Sequence, residues 1–167
     1  MKKPQVLFLV KFFAVLLAVY LLIAWKPVND NVIVPFTALV AQVSGGLLKL
    51  IGQDVTVAGT VIRSARFAVN INNGCNGVEA MLILLASIAA FPASMKSRAI
   101  GLGLGALAVQ VLNAIRIVTL YLLGAYQPRL FDLFHTAVWQ IAIIMAAIGF
   151  FLLWSSRVAP ARVANGT

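Results

Sequence analysis

Three residues in this chain could do chemistry together, and each belongs to a different apolar stretch. Cys75 is the only cysteine of 167 residues, in "NINNGCNGVEA" (70–80). Arg116 stands in "QVLNAIRIVTL", inside a long apolar run, and His135 is the only histidine. A thiol nucleophile, an imidazole base and a cation for a developing oxyanion form a working acyl-transfer set. Each residue also has a plainer reading. A lone cysteine at a span end can be filler or a lipidation site. An arginine near a span end can snorkel to the headgroups, and an interfacial histidine can be an amphipathic cap. It is the coincidence of three in one layer that points to chemistry.

Neighbouring residues extend the set. Gly74 and Gly77 flank the thiol and would let a substrate backbone approach. Asn76 could donate toward an oxyanion. Glu79, four residues after Cys75, could pair with Arg116 or simply sit near the interface. Asn113 lies three residues before Arg116, on the same helix face. Asp132 could orient the imidazole of His135, or cap the helix that His135 opens. An apolar helix starting beside Cys75 would place unpaired N–H groups and a partial positive charge near the sulfur. An arginine inside a span costs a few kcal/mol or more, so it is a functional hypothesis by default.

The elements that must position these residues are membrane spans. The chain is 62% hydrophobic and 10% charged, with mean hydropathy +1.01, a composition of polytopic membrane proteins. Its net charge of +9 reads as lysines and arginines flanking apolar spans, which excludes nucleic-acid binding as the first explanation. One cysteine makes no internal disulfide, and no Cys/His cluster suggests a metal or cofactor.

Spans are expected at Val6–Trp25, Val78–Met95, Ala99–Leu123 and His135–Trp154. The first reads as an anchor rather than a cleaved signal, because no small-x-small site precedes Lys26-Pro27. Gly101, Gly103 and Gly105 hint at close packing in the third. Between the first two spans, Val32–Gly52 has apolar residues at helical spacing (Phe36, Leu39, Val40, Val43, Leu47, Ile51). Gln42, Ser44, Gly45, Gly46 and Lys49 interrupt it. It is expected to be an amphipathic helix on the membrane face. The alternation around Val55, Val57, Phe67, Val69 and Ile71 suggests two short strands, a hairpin turning near Arg63-Ser64-Ala65.

The fold class is therefore an all-α polytopic membrane protein with about four transmembrane helices and a small extracytoplasmic segment of amphipathic helix and β-hairpin. The units are a transmembrane anchor (1–25), the extracytoplasmic segment (26–74), a three-helix membrane core carrying the site (75–156) and a cytoplasmic tail (157–167). A five-span alternative, with Val32–Gly52 also crossing, gives the same inside count of basic residues. Four is preferred because the interruptions fall mid-segment and Lys96, Arg98 and Arg157 sit tight against span ends. Four spans place Cys75 and all four acids (Asp30, Asp54, Glu79, Asp132) on the outer side.

The order "NGCNG", "NAIR" and a later histidine at a span start resembles the exosortase/archaeosortase family, over roughly residues 66–155. The length and "CNGVEA" are most like its short exosortase H type. Many members read Cys-Ser-Gly where this chain has Cys75-Asn76-Gly77. The resemblance implies a membrane cysteine transpeptidase or protease in the cell inner membrane, its active site facing the periplasm and its cofactors none. Cys75 matches the nucleophile, Arg116 the motif arginine and His135 the motif histidine. Implied partners are substrate proteins with a C-terminal motif, a transmembrane tail and a basic end, besides membrane lipids. Asp54–Asn73 could receive an extended motif as an added strand. The competing class is a non-enzymatic transporter subunit or assembly factor, in which Arg116 binds an anion and Cys75 is incidental.

Overall fold

A computed structural model describes residues 3–158. Most of the expected cytoplasmic tail (157–167) lies outside the described residues. The chain runs through α1 (Lys3–Ala24), α2 (Lys26–Val28), a π-helical stretch (Asn29–Ile33) and α3 (Val34–Leu50). Three strands follow: β1 (Thr56–Ala58), β2 (Val61–Arg63) and β3 (Ala68–Asn70). Then come α4 (Val78–Ala90), α5 (Met95–Tyr126), α6 (Pro128–Leu133), a second π-helical stretch (Phe134–Val138) and α7 (Trp139–Val158).

Four continuous helical segments are long and apolar enough to cross a membrane: Gln5–Ala24, Lys26–Leu50, Met95–Tyr126 and Pro128–Val158. The chain is a polytopic α-helical membrane protein with a small sheet. The four differ in two respects from those expected: Lys26–Leu50, expected to lie on the membrane face, is long and apolar enough to cross, and the Val78 segment is too short. The helix expected over Val78–Met95 has 13 residues, about 20 Å, against a hydrocarbon core of about 30 Å. Pro92 ends it: the residue before a proline leaves the helical region, and Phe91 is extended. Arg98 then donates to the freed carbonyls of Phe91 (3.2 Å) and Ala93 (3.4 Å).

The packing has two tiers, joined by α5. That helix has 32 residues, about 48 Å, and its two halves keep different company. Its first half packs with α4 and α7 around Leu84, Ile88, Val109, Ala147 and Trp154, and α1 lies against α4. Phe91 is at the centre of the aromatic contacts there, edge-on to Phe8, Phe151 and Trp154. Gly101 and Gly105, four apart on one face, make room for Trp154 and for Leu84, Phe150 and Ile88, whereas Gly103 faces open space. Small residues at this spacing let apolar helices approach closely.

The second half of α5 packs with α3 and the sheet around Val40, Ala41, Leu48, Val55, Ile62, Ile71, Ile117 and Tyr121. The inward face of α3 mixes Val40 and Leu48 with the small and polar Thr37, Ala41, Ser44 and Gly45, while Leu39, Val43, Leu47 and Ile51 are exposed. Gly45 lies against Val57 of β1, so a larger residue there would separate helix and sheet. Most of the apolar stripe thus faces outward, as it does in a helix whose surroundings are partly lipid.

The two expected strands are there as β1 and β3, but they do not pair with each other: β2, which the alternation did not reveal, lies between them. β2 and β3 turn at Ser64–Phe67, where the Ser64 hydroxyl accepts from the Arg66 (3.2 Å) and Phe67 (3.3 Å) amides. All pairing is antiparallel, in the order β1-β2-β3.

Candidate active site

The site lies where the two tiers meet. The chain leaves β3 through Asn72-Asn73-Gly74 and enters α4 at Val78. Cys75 therefore stands just before α4, not in its first turn. Gly74 (φ +87°) and Gly77 (φ +78°) both have left-handed backbones, which residues with a Cβ adopt only at a cost. Their settings differ. A Cβ on Gly77 would press on Asn113 and Gln110 at 3.0–3.1 Å, while one on Gly74 would meet nothing within 4 Å. Gly77 is needed for packing; Gly74 is the glycine that leaves the thiol approachable.

Five side chains fasten this loop. Glu79 reaches back from the first turn of α4 to accept from the Gly74 amide (2.9 Å). Asn76 is fully buried. Its carboxamide oxygen accepts from the Val78 amide (3.0 Å), and its nitrogen donates to Thr37 Oγ1 (2.8 Å) and Asn73 Oδ1 (3.3 Å). Asn73 in turn donates to Asn29 Oδ1 (2.9 Å). Asn76 thus caps α4 and ties the loop to α3. Its amide donors are engaged away from any oxyanion, which is not the role its position beside the thiol suggested.

Cys75, Arg116 and His135 meet. Cys75 Sγ lies 3.1 Å from His135 Nε2. Arg116, 4% exposed, points Nη2 at the same sulfur (3.8 Å) and Nη1 at the Gly74 carbonyl (3.5 Å). Among the described residues no carboxylate pairs with Arg116. Glu79, its suggested partner, is committed to the loop amide, and the one ion pair there is Lys26–Asp30. Burying a guanidinium without a carboxylate is costly, and the groups it faces are the Cys75 sulfur and the Gly74 carbonyl.

His135 sits in the π-helical stretch Phe134–Val138, a local widening that re-aims side chains and recurs at functional sites. Its ring stacks on Phe131 (centroids 5.5 Å, 27° between planes). Phe131 meets Phe67 edge-on at 5.7 Å, and Phe67 meets Tyr121 at 5.8 Å. The Tyr121 hydroxyl donates to Ser64 Oγ (2.6 Å), so the imidazole is propped by a row of rings anchored in the sheet turn. Gly124 makes room for the Phe67 ring. Asp132 is exposed and is not brought to the imidazole; only its backbone carbonyl is engaged, by Thr136 (2.7 Å). Asn113 is buried against Gly77, and neither of its amide atoms has a protein partner among the described residues.

Sequence reading missed Phe131, Thr37, Asn29 and Asn73. Thr37 had a signal: it begins the small-polar stripe Thr37, Ala41, Ser44, Gly45 at helical spacing. Phe131 had one too, four residues before the histidine. Asn29 and Asn73 are 44 apart in sequence, and nothing local joins them.

A cleft of about 140 Å³ opens onto the sulfur, between Val69–Asn72 on one side and α5, Phe131 and His135 on the other. No cluster of His, Cys, Asp or Glu able to hold a metal occurs among the described residues.

Fold and site together define an integral membrane protein with a cysteine–histidine pair and a buried arginine at the boundary between an apolar helix bundle and a small sheet-bearing cap. Residues 3–155 match the transmembrane exosortase family (Exosortase_EpsH), and the chain belongs to that family. Comparison with curated proteins and with solved structures gave no match.

Proposed function

We propose that the chain is a membrane cysteine transpeptidase or protease that cleaves C-terminal sorting signals of exported proteins at the outer face of the inner membrane. One observation carries this reading: a sulfur 3.1 Å from an imidazole nitrogen and 3.8 Å from a buried arginine that has no carboxylate partner among the described residues. Cys75 gives its proton to His135, and its sulfur attacks the scissile carbonyl. A C–S bond forms as the carbonyl π pair moves to oxygen, where Arg116 and the backbone N–H groups after Cys75 stabilise it. The Cys75 N–H itself is occupied by the Asn72 carbonyl (2.9 Å). The C–N bond then breaks, and His135 returns the proton to the leaving amine. Water or an acceptor amine resolves the thioester, His135 taking its proton and sulfur leaving as thiolate.

The lower tier is the part placed in the bilayer. Lys96, Arg98 and Arg157 lie at its far end, as basic residues do on the inner side. Asn29, Asp30, Asn31, Asn72 and Asn73 form a polar layer at the level of the site. The α3–sheet tier then projects outward, consistent with an extracytoplasmic segment. An apolar groove of about 250 Å³ runs down the lipid face between α4 and α7, past Ala80, Ser87 and Ala147. The tops of these helices carry Cys75 and His135, so a substrate's transmembrane tail seated there would deliver its outer end to the sulfur.

The test is processing in cells. The protein is co-expressed with an exported protein bearing a tagged, apolar, basic-ended C-terminal tail, encoded beside it in its own genome. Wild type should release the tail. Cys75→Ala should leave it attached at matched membrane levels, a loss of at least about 10³-fold. Equal release by both would remove the cysteine from the mechanism. Tolerance of Cys75→Ala with failure of Arg116→Ala would favour an anion-binding transporter subunit.

A further inference from the structure

The small sheet has two edges, and they are treated differently. β1 lies against α3, where Val57 fills the space left by Gly45. β3 borders the cleft that leads to Cys75. The Ile71 amide donates to the Thr60 carbonyl (3.0 Å), and the Ser64 amide donates to the Phe67 carbonyl (2.9 Å). Phe67, Val69 and Ile71 therefore turn their backbone groups toward β2. In an antiparallel ladder the residues between them turn theirs away. Ala68 and Asn70, both exposed, thus present N–H and C=O groups along the outer edge.

Proteins usually blunt such an edge with a proline, a charge or a bulge. The segment Ala68–Asn73 has no proline and no charge, and β3 pairs with β2 in unbroken register. It runs straight into the loop holding Cys75. Facing it across the cleft are Ile117 and Leu120, an apolar floor, with Arg116 and His135 toward the sulfur.

We propose that β3 binds the substrate as a fourth strand. The ligand is an extended polypeptide segment whose alternate amides and carbonyls pair with Ala68 and Asn70. One small or medium apolar side chain enters the cleft over Ile117 and Leu120, and the scissile carbonyl comes to lie between Cys75 and His135. Backbone pairing supplies affinity that does not depend on the exact side chains, and the single cleft supplies selection. This inference rests on the cysteine acyl-transfer reading and adds the way the substrate is held.

The test uses the full chain in detergent micelles and tetra-alanyl chloromethyl ketone as the probe, with chloroacetone as the reagent that lacks a peptide. Sulfur displaces chloride in both, and intact mass reports one adduct because the chain has one cysteine. The peptide reagent should alkylate Cys75 faster than chloroacetone does. N-methylation of the reagent, one amide at a time, should slow it about fivefold at alternate positions, the worth of one hydrogen bond, and leave the positions between unchanged. No acceleration by the peptide, or equal effects at every position, would overturn strand addition. Failure of the underlying reading looks different: chloroacetone would then alkylate wild type no faster than His135→Ala, whatever the methylation pattern.

Discussion

The two halves of α5 hold their neighbours by different means. In the first half, apolar side chains meet across glycines, and among the described residues few hydrogen bonds leave the helix: the Trp154 indole donates to the Ser97 carbonyl (3.3 Å), and Arg98 donates to the carbonyls that follow α4. In the second half and the loop before α4, geometry is fixed by hydrogen bonds among Asn76, Thr37, Asn73, Asn29 and Glu79, and by a row of rings. Lipid gives helices little hydrophobic reason to associate, so close approach has to come from small residues. An active site needs side chains held within fractions of an ångström, which directional bonds secure and dispersion alone does not. Substitutions in one region should therefore change chemistry, and in the other the amount of folded protein.

After Cys75 itself, the largest expected effect is at Arg116. Arg116→Lys keeps the charge but not the fork that reaches both the sulfur and the Gly74 carbonyl. It should cut processing about 10²–10³-fold, as removal of an oxyanion donor does, with membrane levels unchanged. Next is Asn76→Ala, which strands the Val78 amide and leaves a void beside Thr37. A loss of about 1–3 kcal/mol is expected from the unpaired buried groups, read as faster proteolysis at the 72–78 loop together with lost processing. The lower tier gives a contrast of sign. Gly101→Ala forces a methyl into the Trp154 indole and should destabilise by up to about 2 kcal/mol after its helix-propensity gain. Gly103→Ala meets open space and should be neutral or stabilising by up to about 1 kcal/mol. Thermal unfolding of the two in detergent checks this, and each should keep wild-type activity per folded molecule. The smallest effect is at Asp132: Asp132→Asn should alter processing less than about twofold, since exposed carboxylates contribute little. A larger loss would mean that the carboxylate, and not only the Phe131 stack, orients His135.

How much of this could be read from the sequence varies with the range of the interaction. The apolar runs were legible because a bilayer demands length and hydrophobicity from each span. The meeting of Cys75, Arg116 and His135 was legible because each falls at one level of a separate run. What was not legible depended on direction. The stripe Phe36, Leu39, Val40, Val43, Leu47 and Ile51 shows that α3 has an apolar side, but not that Val40 turns to the core while Leu39, Val43, Leu47 and Ile51 turn outward. The short α4 was written in Pro92, whose effect on Phe91 is local and could have been used. Asp132 three residues before His135 suggested a carboxylate–imidazole pair, but the π-helical stretch after Leu133 changes the register, and Phe131 lies over the ring instead. Asn76 looked like an oxyanion donor because it follows the thiol. Only the fold reveals Thr37, 39 residues earlier, as its partner.

The single cysteine allows the unit to be tested without knowing its substrate. The full chain in lipid nanodiscs would be treated with iodoacetamide, and the rate of adduct formation read by intact mass for wild type, His135→Ala and Arg116→Lys. If Cys75, His135 and Arg116 act together, both variants should react at least about tenfold more slowly than wild type, well within the roughly 10²-fold or more that a positioned base contributes. Equal rates in all three would contradict it, leaving a cysteine that merely lies near a histidine and an arginine.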